Sequence, residues 1–129
     1  MRVPIEVAPG ELIDRLTILH IKRERIPDPE KLAHVARETR VLEAARLEHM
    51  KPVAAVGDLE TRLKEVNEAL WDIEDELRGL EAERRFDGEF VRLARAVYRT
   101  NDERAAIKRQ INKAYDSDIA EVKSYKDTG

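Results

Sequence analysis

Two apolar heptads running in opposite senses about a turn at Phe86 to Gly88 constrain this chain more than any other feature. Leu59, Leu63, Val66, Leu70, Ile73, Leu77 and Leu80 alternate steps of four and three, the spacing that holds one helix face against a partner. Phe90, Leu93, Val97, Thr100, Arg104, Ile107, Ile111 and Ala114 repeat that alternation on the way back. Pairing Leu80 with Leu93, Leu77 with Val97, Ile73 with Thr100 and Leu70 with Arg104 keeps the sum of the two residue numbers constant to within one. Val66 with Ile107, Leu63 with Ile111 and Leu59 with Ala114 continue the series. An antiparallel hairpin of defined register follows. Its seam is apolar except around Thr100 and Arg104.

A shorter pattern precedes it. Leu12, Leu16 and Leu19 form a helical stripe that Ile13, Ile18 and Ile21 widen to most of the circumference, so this helix is expected to be largely buried. Ile26-Pro27-Asp28-Pro29 marks a turn, with Asp28 as cap and Pro29 at the first helical position. Leu32, Val35, Thr39 and Leu42 then line a second helix, and a tight turn pairs Leu19 with Val35, Leu16 with Thr39 and Leu12 with Leu42. The expected fold is all-α, one domain over 1–129, built from two antiparallel helical hairpins of four main helices. Hairpin one spans about 10–49, a linker 50–57, and a long coiled-coil-like hairpin two about 58–116, with Asp58 as its cap. A tail occupies 117–129, in which Ile119 to Tyr125 fits either an extended segment or a helix.

Composition narrows the function classes. Charged residues make up 40% of the chain, yet 24 Lys and Arg face 27 Asp and Glu, so no basic field draws it to nucleic acid. No segment reads as a leader or a membrane-spanning helix, and a cytoplasmic protein without membrane insertion is expected. The chain has no cysteine, glycine-rich phosphate loop or nucleophile elbow, so neither cofactor, metal nor catalytic residue is expected. His20 and His34 share a level on hairpin one but do not converge.

Outer positions of the long hairpin segregate charge. Glu65, Glu68, Asp72 and Asp75 form an acidic stripe on one helix, and Arg92, Arg95, Arg99, Arg109 and Lys113 a basic one on the other, both read as solvated faces open to a partner. The flank beside the seam is more telling. Asn67 pairs there with Lys108 and Glu74 with Asn101, while Trp71 and Tyr98 turn to the same side. With Arg104 they make one candidate binding cluster: Asn67, Trp71, Glu74, Tyr98, Asn101, Arg104 and Lys108. Asp14, Arg15, Lys22 and Arg25 of the first helix are further contributors. Arg104 over Trp71, with Glu74 as charge partner, is the arrangement expected. As a register-fixing network this cluster predicts that Arg104→Leu keeps or raises the melting temperature. As a pocket it receives an anion on Arg104 and Lys108 and stacks a ring or sugar on Trp71 or Tyr98.

Longer words carry a resemblance. Gly10-Glu11-Leu12-Ile13-Asp14-Arg15-Leu16-Thr17-Ile18-Leu19, Ile21-Lys22 and Glu24-Arg25-Ile26 open the chain. Val66-Asn67-Glu68-Ala69-Leu70-Trp71-Asp72-Ile73-Glu74-Asp75, Val97-Tyr98-Arg99-Thr100-Asn101-Asp102 with Arg104-Ala105, and Glu121-Val122-Lys123-Ser124-Tyr125 follow. Together they resemble an uncharacterised bacterial family of small all-helical proteins. That resemblance implies no activity, but a setting near glycosyltransferase and repeat proteins of surface-polysaccharide pathways. It also implies a Ser or Thr cap where Ala8 stands, which removes a capping box with Glu11. The Ile13-Asp14 step and downstream arginines of the first helix resemble the helical chorismate mutases more faintly. The expected function is a non-catalytic helical interaction or ligand-binding module, accessory to cell-surface polysaccharide assembly. Its partner is a protein, a second copy, or a small anionic or sugar ligand. The alternative is a small helical enzyme acting on an anion held by Arg15, Lys22, Arg25 and Arg104.

Overall fold

The computed structural model describes residues 1–116 and contains four helices: α1 Pro9–Arg25, α2 Pro29–His49, α3 Ala54–Ala82 and α4 Gly88–Ala114. The expectations for Ile119 to Tyr125 lie outside the described residues. Local chemistry sets most helix ends. Pro9 and Pro29 stand at first helical positions, and the Asp28 carboxylate accepts from the Glu30 amide at 3.0 Å. Asp87 does the same for Phe90 at 3.4 Å. Ala8 gives α1 no side-chain cap.

Hairpin two buries the seam that its heptads predict. Every seam position from Leu59 to Leu80 and from Phe90 to Ala114 is buried or half-buried, while all the outer stripe residues except Glu68 are exposed. Leu63, Ile107 and Ile111 share one core cluster with Ile13 and Val56, against which Leu59, Val66 and Ala114 pack. Val56 also explains where α3 begins. It is nearly fully buried in that cluster, so its burial extends the helix one turn before Asp58, the expected cap, through Gly57. The linker shrinks to 50–53.

Hairpin one departs from expectation in two ways. α1 packs closely against each other helix, whereas the backbone of α2 comes close to α1 alone and α2 meets α3 through the Arg46–Glu60 ion pair at 2.6 Å, so the centre is a three-helix core with α2 outside it. Only Val35 of α2 is buried. The register differs as well, because His20 lies 3.5 Å from Glu43, not level with His34. Glu43 stands about 13 Å further along α2 than His34 at the helical rise of about 1.5 Å per residue. Ile26 and Asp28 are extended, as residues before proline are, and they carry the chain past the end of α1 before α2 turns back.

Candidate functional site

α1 lies across the α3–α4 hairpin and brings a fully buried carboxylate to Arg104. Asp14 is 0% exposed. Arg104 Nε donates to its Oδ1 at 3.0 Å and Nη2 to its Oδ2 at 2.5 Å, a bidentate fork. Asn67 Nδ2 donates to the same Oδ1 at 2.9 Å and to Thr17 Oγ1 at 2.8 Å, while that hydroxyl donates to the Asp14 carbonyl at 2.7 Å. Lys108 Nζ stands 3.9 Å from Asp14 Oδ2 and donates to Glu11 Oε2 at 2.7 Å. Arg15 Nε holds the other Glu11 oxygen at 3.0 Å. Among the described residues no buried side-chain nitrogen or oxygen lacks a hydrogen bond. The polar break in the seam is therefore the meeting point of three helices.

Placement of the predicted residues is mixed. Asn67, Arg104, Lys108 and Asp14 converge. Glu74 is not the charge partner of Arg104, because α1 delivers Asp14 closer and fully desolvated. Tyr98 is 61% exposed, apart from the network, and Asn101 is half-buried. Arg15 turns to Glu11, and Arg25 reaches out to Asp72 at 2.5 Å and Glu68 at 3.8 Å, so it braces the acidic stripe. Arg15, Arg25 and Arg104 thus each point to different carboxylates of their own chain and do not converge on one anion site. Thr17, and Asn112 of α4, which accepts the Gly10 amide at 2.7 Å, lie outside the predicted cluster, and Glu11, expected to pair with Arg15, also takes Lys108. For Thr17 and Glu11 the signal is the apolar circumference of α1, since any polar group on such a helix must find a partner from another element.

Beside this network lies an open cleft of about 310 Å³ between α1 and α3. Ile18 and Ile21 form its α1 wall, Leu70, Trp71 and Glu74 its α3 wall, and Arg104 and Asn67 reach its end. Trp71 is half-buried there. An anion in the cleft would have to compete with Asp14 for the Arg104 fork.

Electrostatics give the network a pH signature. Burial pushes the Glu11 carboxyl up, but hydrogen bonds and charge from Lys108 and Arg15 outweigh it and hold the group below its ordinary value of 4.5. A carboxyl depressed in the folded state contributes stability that is present above the unfolded value and lost as pH falls through the folded one. Glu11→Gln is therefore expected to lower the melting temperature at pH 7. Its deficit against the parent should shrink as pH falls below 4.5. A deficit that is constant across that range counts against the pairing.

An all-α fold with a buried carboxylate–guanidinium centre and an open tryptophan-lined cleft defines the class of protein by its architecture. The chain belongs to the family described as "Family of unknown function (DUF6165)", whose model matches residues 1–128. No curated protein and no solved structure matches it.

Proposed function

We propose that this protein is a non-catalytic helical interaction module. Its docking face is the α1–α3 cleft together with the groove that continues from it towards the Phe86 turn. The observation that supports this most is the cleft itself. It is a trough with apolar walls around a half-buried Trp71, beside a polar centre whose charges are already matched within the chain. Such a face gains more from covering apolar surface than from turning over a charged substrate. The resemblance to families found near surface-polysaccharide genes makes an accessory role in that assembly the setting of the module. No helix of the described residues is long and apolar enough to cross a membrane.

The test is a photo-crosslinking amino acid placed at Tyr98, on the groove, and at Arg109, on the outer stripe, in the cells that make the protein. A discrete adduct from the Tyr98 position but not from Arg109 is expected. Equal adducts from both, or none, overturn the reading.

A second reading has its own observation. Trp71 stands beside the Glu74 and Asp75 carboxylates in the cleft, while Arg104 is engaged by Asp14. That combination fits a neutral sugar ring, stacked on the indole and donating hydroxyls to carboxylates, better than an anion. Neutral oligosaccharides, and not phosphate, are then expected to quench Trp71 fluorescence at saturable concentrations. A response to phosphate alone reverses this.

A further inference from the structure

The groove that receives α1 does not end where α1 ends. On α4 one flank carries Ala105, Lys108 and Asn112, all buried on the side α1 covers. Gly10 and Glu11 hydrogen-bond to the last two of these. The same flank continues upward, at helical steps of three and four, through Asn101, Tyr98, Ala94 and Val91. On α3 the matching flank runs from buried Asn67 through Trp71, Glu74 and Arg78 to Glu81. α1 stops at Arg25, level with Glu68 and Asp72, and α2 meets α3 lower down, where Arg46 pairs with Glu60 near the start of α3. Above that level no other described helix lies on the groove. Val91 is 52% and Tyr98 61% exposed, seven residues apart on one face, and the seam residues Ile73, Leu77 and Val97 are only half-buried. A two-helix arm of this kind leaves apolar surface that a third or fourth helix would cover.

We infer that the occupant is the arm of a second copy of this chain, packed antiparallel to form a local four-helix bundle. Charge complementarity favours it. The exposed charges on the α3 flank are Glu74, Arg78 and Glu81, a cation bracketed by carboxylates. In an antiparallel pair offset by about half a turn, each Arg78 meets a carboxylate of the other chain, and two-fold symmetry makes that contact twice. None of these three residues forms an ion pair within the described chain. Tyr98 and Val91 lie inside the overlap and supply its apolar centre. Tips must point in opposite directions, because α1 fills the lower groove of each copy. The overlap is about ten residues per helix, so a reversible dimer at the weak end of interfaces is expected.

This inference rests on the groove being a docking face, and its tests separate the two. Sedimentation equilibrium over about 1–200 µM should show a monomer–dimer equilibrium. Val91→Glu with Tyr98→Glu should abolish the dimer while leaving the thermal melt of the monomer unchanged, since both side chains are exposed. Arg78→Glu should weaken self-association at least tenfold, and so should Glu74→Arg with Glu81→Arg. An equimolar mixture of the two should restore dimers. A monomer at every concentration, or a dimer indifferent to these changes, overturns the inference. A Tyr98 crosslink at twice the chain mass supports it. An adduct with a different protein overturns self-pairing but leaves the docking face standing, and no adduct overturns both.

Discussion

Asp14→Ala is expected to destabilise the fold by about 3–5 kcal/mol, the loss typical when one partner of a buried ion pair is removed. The side chain is small and its removal leaves little void. The damage comes from what remains. Arg104 loses both bonds of its fork, Lys108 keeps Glu11 but loses the second carboxylate, and Asn67 keeps Thr17 alone. With that carboxylate gone, Lys108, 7% exposed, has only Glu11 of the two, and shares it with Arg15. A fall in melting temperature of roughly 10–20 °C corresponds to that loss in a domain of this size. Arg104→Leu is expected to be nearly as costly, because it strands a fully buried carboxylate. This differs from the expectation that Arg104→Leu keeps or raises the melting temperature, which gave the arginine Glu74 as partner and not a fully buried Asp14. The apolar replacement that tests the stability of the pair is Asp14→Leu with Arg104→Leu. It should recover most of either single loss, as hydrophobic substitutes for whole buried pairs often do. A single Asp14→Ala variant within about 1 kcal/mol of the parent, measured by chemical denaturation, would remove Asp14 from the centre of the fold.

The long hairpin was legible because a period of 3.5 repeated over seven layers over-determines register, and the seam from Leu59 to Ala114 is buried or half-buried at every position. The short hairpin was not. Its register turned on the direction of three linker residues, and an assumed tight turn set His20 beside His34 where the structure sets it beside Glu43. The information was present in local form, since Pro27 and Pro29 each push the preceding residue into extended backbone. At the polar centre, Asn67, Arg104 and Lys108 could be grouped because one register relates them. Their true partners, Asp14 and Glu11, come from a helix whose crossing onto the hairpin no single-sequence periodicity encodes. Periodicity pairs Glu74 with Arg104 because both lie on helices of one register. Burial of Asp14 was decided between elements.

Gly10→Ala is expected to destabilise the protein by about 1–3 kcal/mol or more, although alanine inside a helix is ordinarily worth about 1 kcal/mol over glycine. The sign reverses because of what a Cβ would meet. Built on the Gly10 backbone, it falls 2.5 Å from the Lys108 carbonyl oxygen and 2.8 Å from Asn112 Oδ1. The first of these is α4 backbone, which cannot rotate away. The second accepts the Gly10 amide at 2.7 Å, so movement that relieves the clash also breaks a buried bond. α1 would have to lift from α4 at its first turn, and Glu11 and Asp14 would be drawn away from Lys108 and Arg104 together. The effect should therefore exceed simple overpacking and appear as loss of coupling. In a double-mutant cycle, the measured interaction between Glu11 and Lys108 should fall in the Gly10→Ala background. Gly79→Ala is the control. Nothing lies within 4 Å of a Cβ at Gly79, so that change in α3 should stabilise by about 0.5–1 kcal/mol through unfolded-chain entropy and helix propensity. If both substitutions stabilise, α1 does not sit against α4 as described; if Gly10 alone destabilises, close approach of α1 to α4 is what assembles the Asp14–Arg104 centre.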